Sequence, residues 1–514
     1  MRVVGHWCHS QLTAPVLGIA ACLLLIAPAM SRAEERTGLS DPAEKPVSEE
    51  TEENISKKAV ETSKRFTEYF VEKVEQAQHE PWRETADQIL INDPEVRWHR
   101  YLRALANTPE WLDIGMAQRI RYEALTNNFR VGQATNINGF LLRTRLRLGV
   151  DWKILRFFIE GQNSADLENQ SAASTLNPSL ASGDRLLQAF VAVKLENVFH
   201  TGLRTDLHLG RFTLDFGSRR FIARNEFRNT TNSFQGVHWN LAQEQRWRVR
   251  AFLVSPVSDT YGVLQPVHDT VFWGMQYEDY REPWLQTDLY YFGINTRASG
   301  GSQPDAFGTY GLRVYRAAAP SQIDYESETT FQVGTVGGGD LFAQFQHAEL
   351  GYSFPLPWQP RFRVQYDYAS GTKNPLGNSS GRLNTLFGAR NFEFTPTSTF
   401  GPFFRSNISS PGVRASLMPT EVMSLTVKYR AWWLAQAKDA WVGSGLQDPT
   451  GQAGNFLGQD VEARCDWHWD TFTLVRVGYD HFFKGSYIQT LAQVPGNPSA
   501  KDSDYFYVST EFRF

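Results

Sequence analysis

From about residue 110 to the end, charged and apolar side chains alternate with a period of two. In 141–150 (LLRTRLRLGV), Arg143, Arg145 and Arg147 share one face, and Leu142, Thr144, Leu146 and Leu148 share the other. Arg119, Arg121 and Glu123 alternate with Ile120 and Tyr122. Arg246, Arg248 and Arg250 alternate with Trp247, Val249 and Ala251. The same holds for Arg361, Arg363, Gln365 and Asp367 against Phe362, Val364, Tyr366 and Tyr368. Lys428 and Arg430 oppose Leu425, Val427, Tyr429 and Trp433; Glu462, Arg464, Asp466 and His468 oppose Val461, Ala463, Cys465 and Trp467. A strand turns successive side chains to opposite faces. Each segment is therefore a strand with one charged and one apolar face.

Two arrangements suit such strands: a soluble sheet with one wet face, or a barrel with a wet lumen and lipid outside. Arginine facing the bilayer midplane costs roughly 2–4 kcal/mol, so in a barrel the charges must point inward. Several strands stack two or three arginines without equal numbers of acids beside them. A wet sheet face gains little from that crowding. A pore gains a positive field that draws in anions. The whole chain carries a net charge of −4, so positive charge on these faces is a local feature.

The alternating runs recur about every 20 residues, separated by Gly, Pro, Asn, Asp and Ser clusters. Roughly 400 residues at roughly 22 per strand and connection give about 18 strands, in the range of large outer-membrane barrels. The expected fold is all-β, a transmembrane antiparallel β-barrel with a short disordered and helical N-terminal extension. Stretches 161–184, 296–306, 371–381 and 439–458 are expected as outer loops. The hydrophobic share is 41% and the mean hydropathy is −0.40. That excludes a bundle of transmembrane helices, which needs several apolar runs of roughly 20 residues. It does not exclude a barrel, whose strands are only half apolar. The 13% aromatic content suits interface girdles, and also suits a secreted carbohydrate binder.

Residues 1–33 read as a signal peptide: Arg2, an apolar run over 14–27, then Ser31-Arg32-Ala33 for cleavage. Removing them takes away Arg2 and Arg32 and no acid, so the net charge moves from −4 to −6. It also removes Cys8 and Cys22, leaving Cys465 and no intramolecular disulfide. Residues 34–58 are acidic and poor in apolar groups, a composition that does not fold. From 57 to 107 a narrow stripe of Phe66, Phe70, Val74 and Ala77 has helical spacing, interrupted by Pro81 and Pro94. Residues 34–108 are thus expected as an acidic tail and a helical periplasmic segment that could hold a periplasmic partner. The barrel is expected over 109–514. The chain ends YFYVSTEFRF, with Phe506, Val508, Thr510 and Phe512 on one face. A last strand of this pattern closing on Phe514 resembles the signal read by the outer-membrane barrel assembly machinery.

The barrel region resembles the alginate export family of outer-membrane porins. The clearest stretch is 209–239, LGRFTLDFGSRRFIARNEFRNTTNSFQGVHW. EWLDIGMAQRIRYE (110–123), YDYASG (366–371), LNTLFGAR (383–390), GPFFRSN (401–407) and GYDHFFKG (478–485) follow the family in order. The resemblance implies an 18-stranded monomeric barrel with an arginine-rich constriction. The best-known members export alginate, a polyuronate. Arg211, Arg219, Arg220 and Arg224 lie within the matching motif. With the alternating faces, the expected pore-lining set is Arg119, Arg121, Glu123, Arg143, Arg145, Arg147, Arg211, Arg219, Arg220, Arg248, Arg250, Arg361, Arg363, Asp367, Lys428, Arg430 and Arg464. Guanidinium binds carboxylate bidentately, which suits a polyanion. The expected partners are an anionic polysaccharide or a small anion, and outer-membrane lipid.

Three rivals remain at this stage. One is a general or other-substrate anion-selective porin. One is an outer-membrane hydrolase, but His468 and His481 have no triad spacing. The third is a plugged structural or adhesin barrel, which needs apolar residues or neutral, paired charges inside; the unbalanced arginine ladders argue against it. No metal, cofactor or nucleic acid is expected. GTVGGGD (334–340) and GQAGNFLG (451–458) open no helix after a strand, so they support no nucleotide site.

Overall fold

The computed structural model describes residues 109, 111–167, 180–181, 183–198, 200–243, 246–257, 269–298, 303–469 and 472–513. The expected signal peptide, the extension 34–108 and Phe514 lie outside these residues.

Eighteen strands run in chain order: β1 Leu112–Leu125, β2 Ile137–Trp152, β3 Leu155–Asp166, β4 Gly183–Val198, β5 Leu203–Phe212, β6 Phe234–Gln243, β7 Trp247–Pro256, β8 Thr270–Asp279 and β9 Gln286–Thr296. They continue with β10 Asp305–Arg316, β11 Ile323–Val336, β12 Gly339–Ser353, β13 Arg361–Ala369, β14 Ile408–Thr420, β15 Met423–Trp433, β16 Phe456–His468, β17 Thr473–Lys484 and β18 Ser503–Arg513. Each pairs antiparallel with its neighbours in sequence, and β1 pairs with β18. The sheet is closed, so it has no unpaired edge to satisfy in lipid. One helical turn, α1 (Ser486–Leu491), follows β17.

The two ends differ. Connections at one end are short: 153–154, 199–202, 244–246, 280–285, 317–322, 354–360, 421–422 and 469–472. At the other end they include 167–182, 213–233, 370–407, 434–455 and 485–502. Outer-membrane barrels keep periplasmic turns short and outer loops long, which orients the molecule. The outer loops at 297–304, 370–407 and 434–455 meet their expected stretches. Residues 161–166 belong to β3 instead, and 213–233 was not expected as a loop. One outer connection is tight, at 337–338. There Gly337 and Gly338 take φ of 59° and 80°, the backbone of a type I′ hairpin. GTVGGGD is thus a hairpin.

The alternation sorts the faces as expected. Leu146, Leu148, Ile159, Leu253, Met275, Leu350 and Val364 are exposed on the outside. Trp111, Trp152, Trp284, Trp358 and Trp469 are exposed at the short-turn end, where an aromatic girdle meets the interface. On β18 the inward Tyr505, Tyr507, Ser509, Glu511 and Arg513 are buried, and Phe512 faces out. Cys465 is half-buried on the outer face of β16.

Candidate functional site

Two outer loops turn into the barrel and fill part of its lumen: 213–233 between β5 and β6, and 370–407 between β13 and β14. Each is apolar enough to pack. Leu214, Phe216, Phe221, Ile222 and Phe227 of the first, with Leu383, Phe394, Phe400 and Phe403 of the second, join one buried cluster with Phe252, Phe272, Phe292 and Phe345 of the wall. The loops also pair with each other. Ile222 and Phe387 form a parallel bridge, and the Phe387 N–H donates to the Phe221 carbonyl at 2.9 Å. Gly388 permits this approach, because a Cβ there would lie 1.7 Å from the Arg220 carbonyl oxygen.

One side of the lumen is an arginine wall. Arg119 of β1 and Arg143 of β2 are direct cross-strand partners, an arrangement that like charges disfavour. The 213–233 loop relieves it. Arg119 Nη1 donates to the Glu226 carbonyl at 3.0 Å and Arg143 Nη1 to the same oxygen at 2.8 Å. Arg119 Nη2 reaches the Arg228 carbonyl at 3.0 Å. Arg121 Nη1 donates to the Phe227 carbonyl at 2.6 Å, and its Nε pairs with Glu123 at 2.6 Å. Arg145 Nη1 meets the Glu226 carboxylate at 2.7 Å. Burial would raise the Glu226 carboxyl, but Arg145, Arg224 and Arg143 together hold it well below the ordinary carboxylate range.

The opposite side is a carboxylate wall. Arg220 of the same loop pairs with Glu326 and Glu328 of β11 at 2.5 Å each, and with Glu393 of the second loop. Arg313 of β10 bridges Glu326 at 2.7 Å and Asp288 at 2.8 Å. Arg405 pairs with Glu393. Arg430 meets Asp367 at 2.6 Å, and His347 Nδ1 lies 2.8 Å from the same carboxyl group.

The structure places most of the expected set inside. Arg119, Arg121, Glu123, Arg143, Arg145, Arg363, Asp367, Lys428, Arg430 and Arg464 are buried on the inner face. Arg147, Arg248, Arg250 and Arg361 are half-buried on the same face. Arg219 and Arg220 are inside on the loop, with no strand under them. Arg211 is the exception. It faces outward beside Gln235, its register partner, and donates to Gln235 Oε1 at 3.1 Å and to the Leu186 carbonyl at 3.1 Å. Arg211 therefore lines no lumen.

The unbalanced ladder also needs correction. Arg147 pairs with Asp113, Arg248 with Glu278, Arg361 with Asp324, Lys428 with Glu462 and Arg464 with Asp466. Asp466 shares β16 with Arg464, but the other four acids come from other strands, which a reading within one strand does not see.

A second basic group lies on three outer loops and was missed. Arg130 (126–136), Arg228 (213–233) and Arg390 (370–407) are half-buried. Arg130 Nη1 donates to the Thr399 carbonyl at 2.9 Å. Arg390 Nη1 donates to the Phe403 carbonyl at 2.7 Å, and its guanidinium stands 3.4 Å over the Phe404 ring. Burial, then the charges of Arg228, Arg405 and Arg130, push Arg390 well below its usual range. Arg130 and Arg228 thus stand close enough to Arg390 for their charges to be felt there. No single strand carries this group, so alternation offered no signal.

No metal motif was read from spacing, yet the fold brings two groups of His and carboxylate together: Asp206, His208 and His238, and His347, Asp367 and Glu393.

Solved structures show the same barrel. OccAB3 of Acinetobacter baumannii aligns with a TM-score of 0.53 at 10% identity, over 78% of this chain and 99% of that one. OccD3 of Pseudomonas aeruginosa aligns at 0.52 with 12% identity, over 79% and 91%. A BenF-like porin from Pseudomonas fluorescens Pf-5 aligns at 0.52 with 9% identity, over 79% and 99%. These identities support the fold alone. No curated protein sequence matches this chain. The alginate export family model matches residues 110–498, nearly the whole barrel. A closed 18-strand porin-like barrel with this family match is an outer-membrane channel. The chain belongs to the alginate export family.

Proposed function

We propose that the channel passes an anionic hydrophilic polymer, a polyuronate such as alginate, past arginines of its lumen. The observation that carries this reading is the Arg130, Arg228 and Arg390 cluster. Arg130 and Arg390 are satisfied by main-chain carbonyls among the described residues. A carbonyl neutralises no charge, so each guanidinium keeps a field that an arriving carboxylate can feel. Below the loops, half-buried Arg147, Arg248, Arg250 and Arg361 also face the lumen toward the short-turn end, three of them paired with Asp113, Glu278 and Asp324. Several weak sites in series suit conduction, because a solute must bind well enough to enter and weakly enough to leave. The chain acts as a monomer in this reading.

A second reading is a channel for small anions. The two packed loops favour it, since they narrow the lumen around buried ion pairs. Single-channel recording in planar bilayers separates the two. The polymer reading expects anion-selective current that oligouronates block, and weaker block in Arg390→Ala. Anion-selective current indifferent to oligouronates supports the small-anion reading. Cation selectivity overturns both.

A further inference from the structure

We propose that Asp206, His208 and His238 form a site for a divalent transition-metal ion, of which Zn2+ is the best fit, on the inner wall at β5 and β6. His208 and His238 are direct register partners across the two strands. Asp206 lies two residues before His208 and so on the same inward face. The three side chains offer ligand atoms all within 4.8 Å of one another. Ligand atoms around tetrahedral zinc sit about 2.0–2.2 Å from the metal, so small rotamer changes would close the set around an ion. Two imidazoles and one carboxylate are a borderline donor set, suited to zinc and unsuited to calcium or magnesium, which take oxygen ligands.

Two further observations point to a ligand. His238 is 91% buried, with 9% exposure, and its Nε2 has no hydrogen-bond partner among the described residues. A buried imidazole nitrogen without a partner costs about 1–3 kcal/mol, and metal ligation would remove that cost. Asp206 is also oriented from behind: Asn240 Nδ2 donates to its Oδ1 at 2.9 Å. Such outer contacts fix a ligating carboxylate. The rings are held too. Phe190 stacks on His208 at 5.0 Å, and Phe216 meets His238 edge-on at 5.7 Å.

Three protein ligands leave a fourth position for water. Without an ion, His208 Nε2 and Asp206 Oδ2 are 3.0 Å apart, so metal binding must open that contact. Arg250 is the nearby opposing charge; it stands 3.8 Å over Phe216, and Arg248 beside it is paired with Glu278. The group His347, Asp367 and Glu393 is a poorer candidate. Its carboxylates already bind Arg430, Arg405 and Arg220.

The test uses the full chain, purified from outer membranes in detergent without a histidine tag. Equilibrium dialysis against ZnCl2 should give one ion per chain, and Co2+ should give the visible absorption of a four-coordinate site. His238→Ala and His208→Ala should abolish both, and Asn240→Ala should weaken binding about tenfold. His347→Ala should leave them unchanged. Heat-modifiable gel migration checks that each variant is folded. No stoichiometric binding by the folded wild type overturns the proposal. So does binding that survives His238→Ala or is lost in His347→Ala.

Discussion

The two sides of the lumen grip one loop by opposite chemistry. On the β1–β2 side the wall supplies guanidinium groups, and the 213–233 loop supplies Glu226 and a run of main-chain carbonyls. On the β10–β11 side the wall supplies carboxylates, and the same loop supplies Arg220. Two of the loop's charged side chains, Glu226 and Arg220, thus point to opposite walls. The difference is in how each side would fail. Carbonyls are neutral, so the arginine side is held by many contacts of which only part is ionic. The carboxylate side concentrates Glu326, Glu328 and Glu393 on one guanidinium. Removing that cation takes the one ion-pair partner among the described residues from buried Glu328, while Glu326 keeps Arg313 and Glu393 keeps Arg405.

The largest effect is therefore expected from Arg220→Met. Uncompensated buried charge costs about 3–5 kcal/mol. The loop should detach from β11 and from Glu393, raising conductance and current noise and lowering the denaturant midpoint of the barrel. Unchanged conductance together with an unchanged midpoint would show that the carboxylate wall does not hold the loop. A charge-preserving Arg220→Lys should recover part of the loss, since lysine keeps the charge and loses the fork.

Glu226→Gln, on the arginine side, should cost less, about 1.5–3 kcal/mol for hydrogen bonds to charged groups. The carbonyl contacts of Glu226, Phe227 and Arg228 survive it. Its sharper signature is electrical: Arg143 and Arg145 lose a counter-charge, so anion selectivity should rise. The pH dependence follows from the depressed carboxyl. A group whose folded pKa lies below its unfolded value of about 4.3 stabilises above that value and loses the contribution as pH falls through the folded pKa. Wild-type gating should then hold at pH 5 and change only in stronger acid. Release of the loop near pH 6 would contradict the assignment.

The comparison also explains what the sequence could show. Alternation placed Arg143, Arg145, Arg363 and Lys428 on the inner face because period two is a local property of a strand. The partners are not local. Arg145 meets Glu226 and Arg220 meets Glu326, contacts set by closure of the barrel and by how the loops fold in. The motif 209–239 contained the loop, but its apolar residues read equally as strand. Leu214, Phe216 and Phe221 became legible only against Phe252 and Phe292 of the wall.

Arg211 marks the limit of both walls and gives the smallest expected effect. It shares the motif with Arg220 and ends the same strand that brings in the loop. Its register partner Gln235 is outward, and Gly210 and Gly236, themselves opposite one another, have positive φ of 129° and 154°. The guanidinium stays near the outer rim, where an arginine costs roughly 0–1 kcal/mol, far less than at the midplane. Arg211→Ala should thus change stability by no more than about 0.5 kcal/mol and leave conductance, selectivity and oligouronate block as in the wild type. A clear drop in anion selectivity would place Arg211 on the conduction path, and the inward and outward faces of β5 would then have to be exchanged.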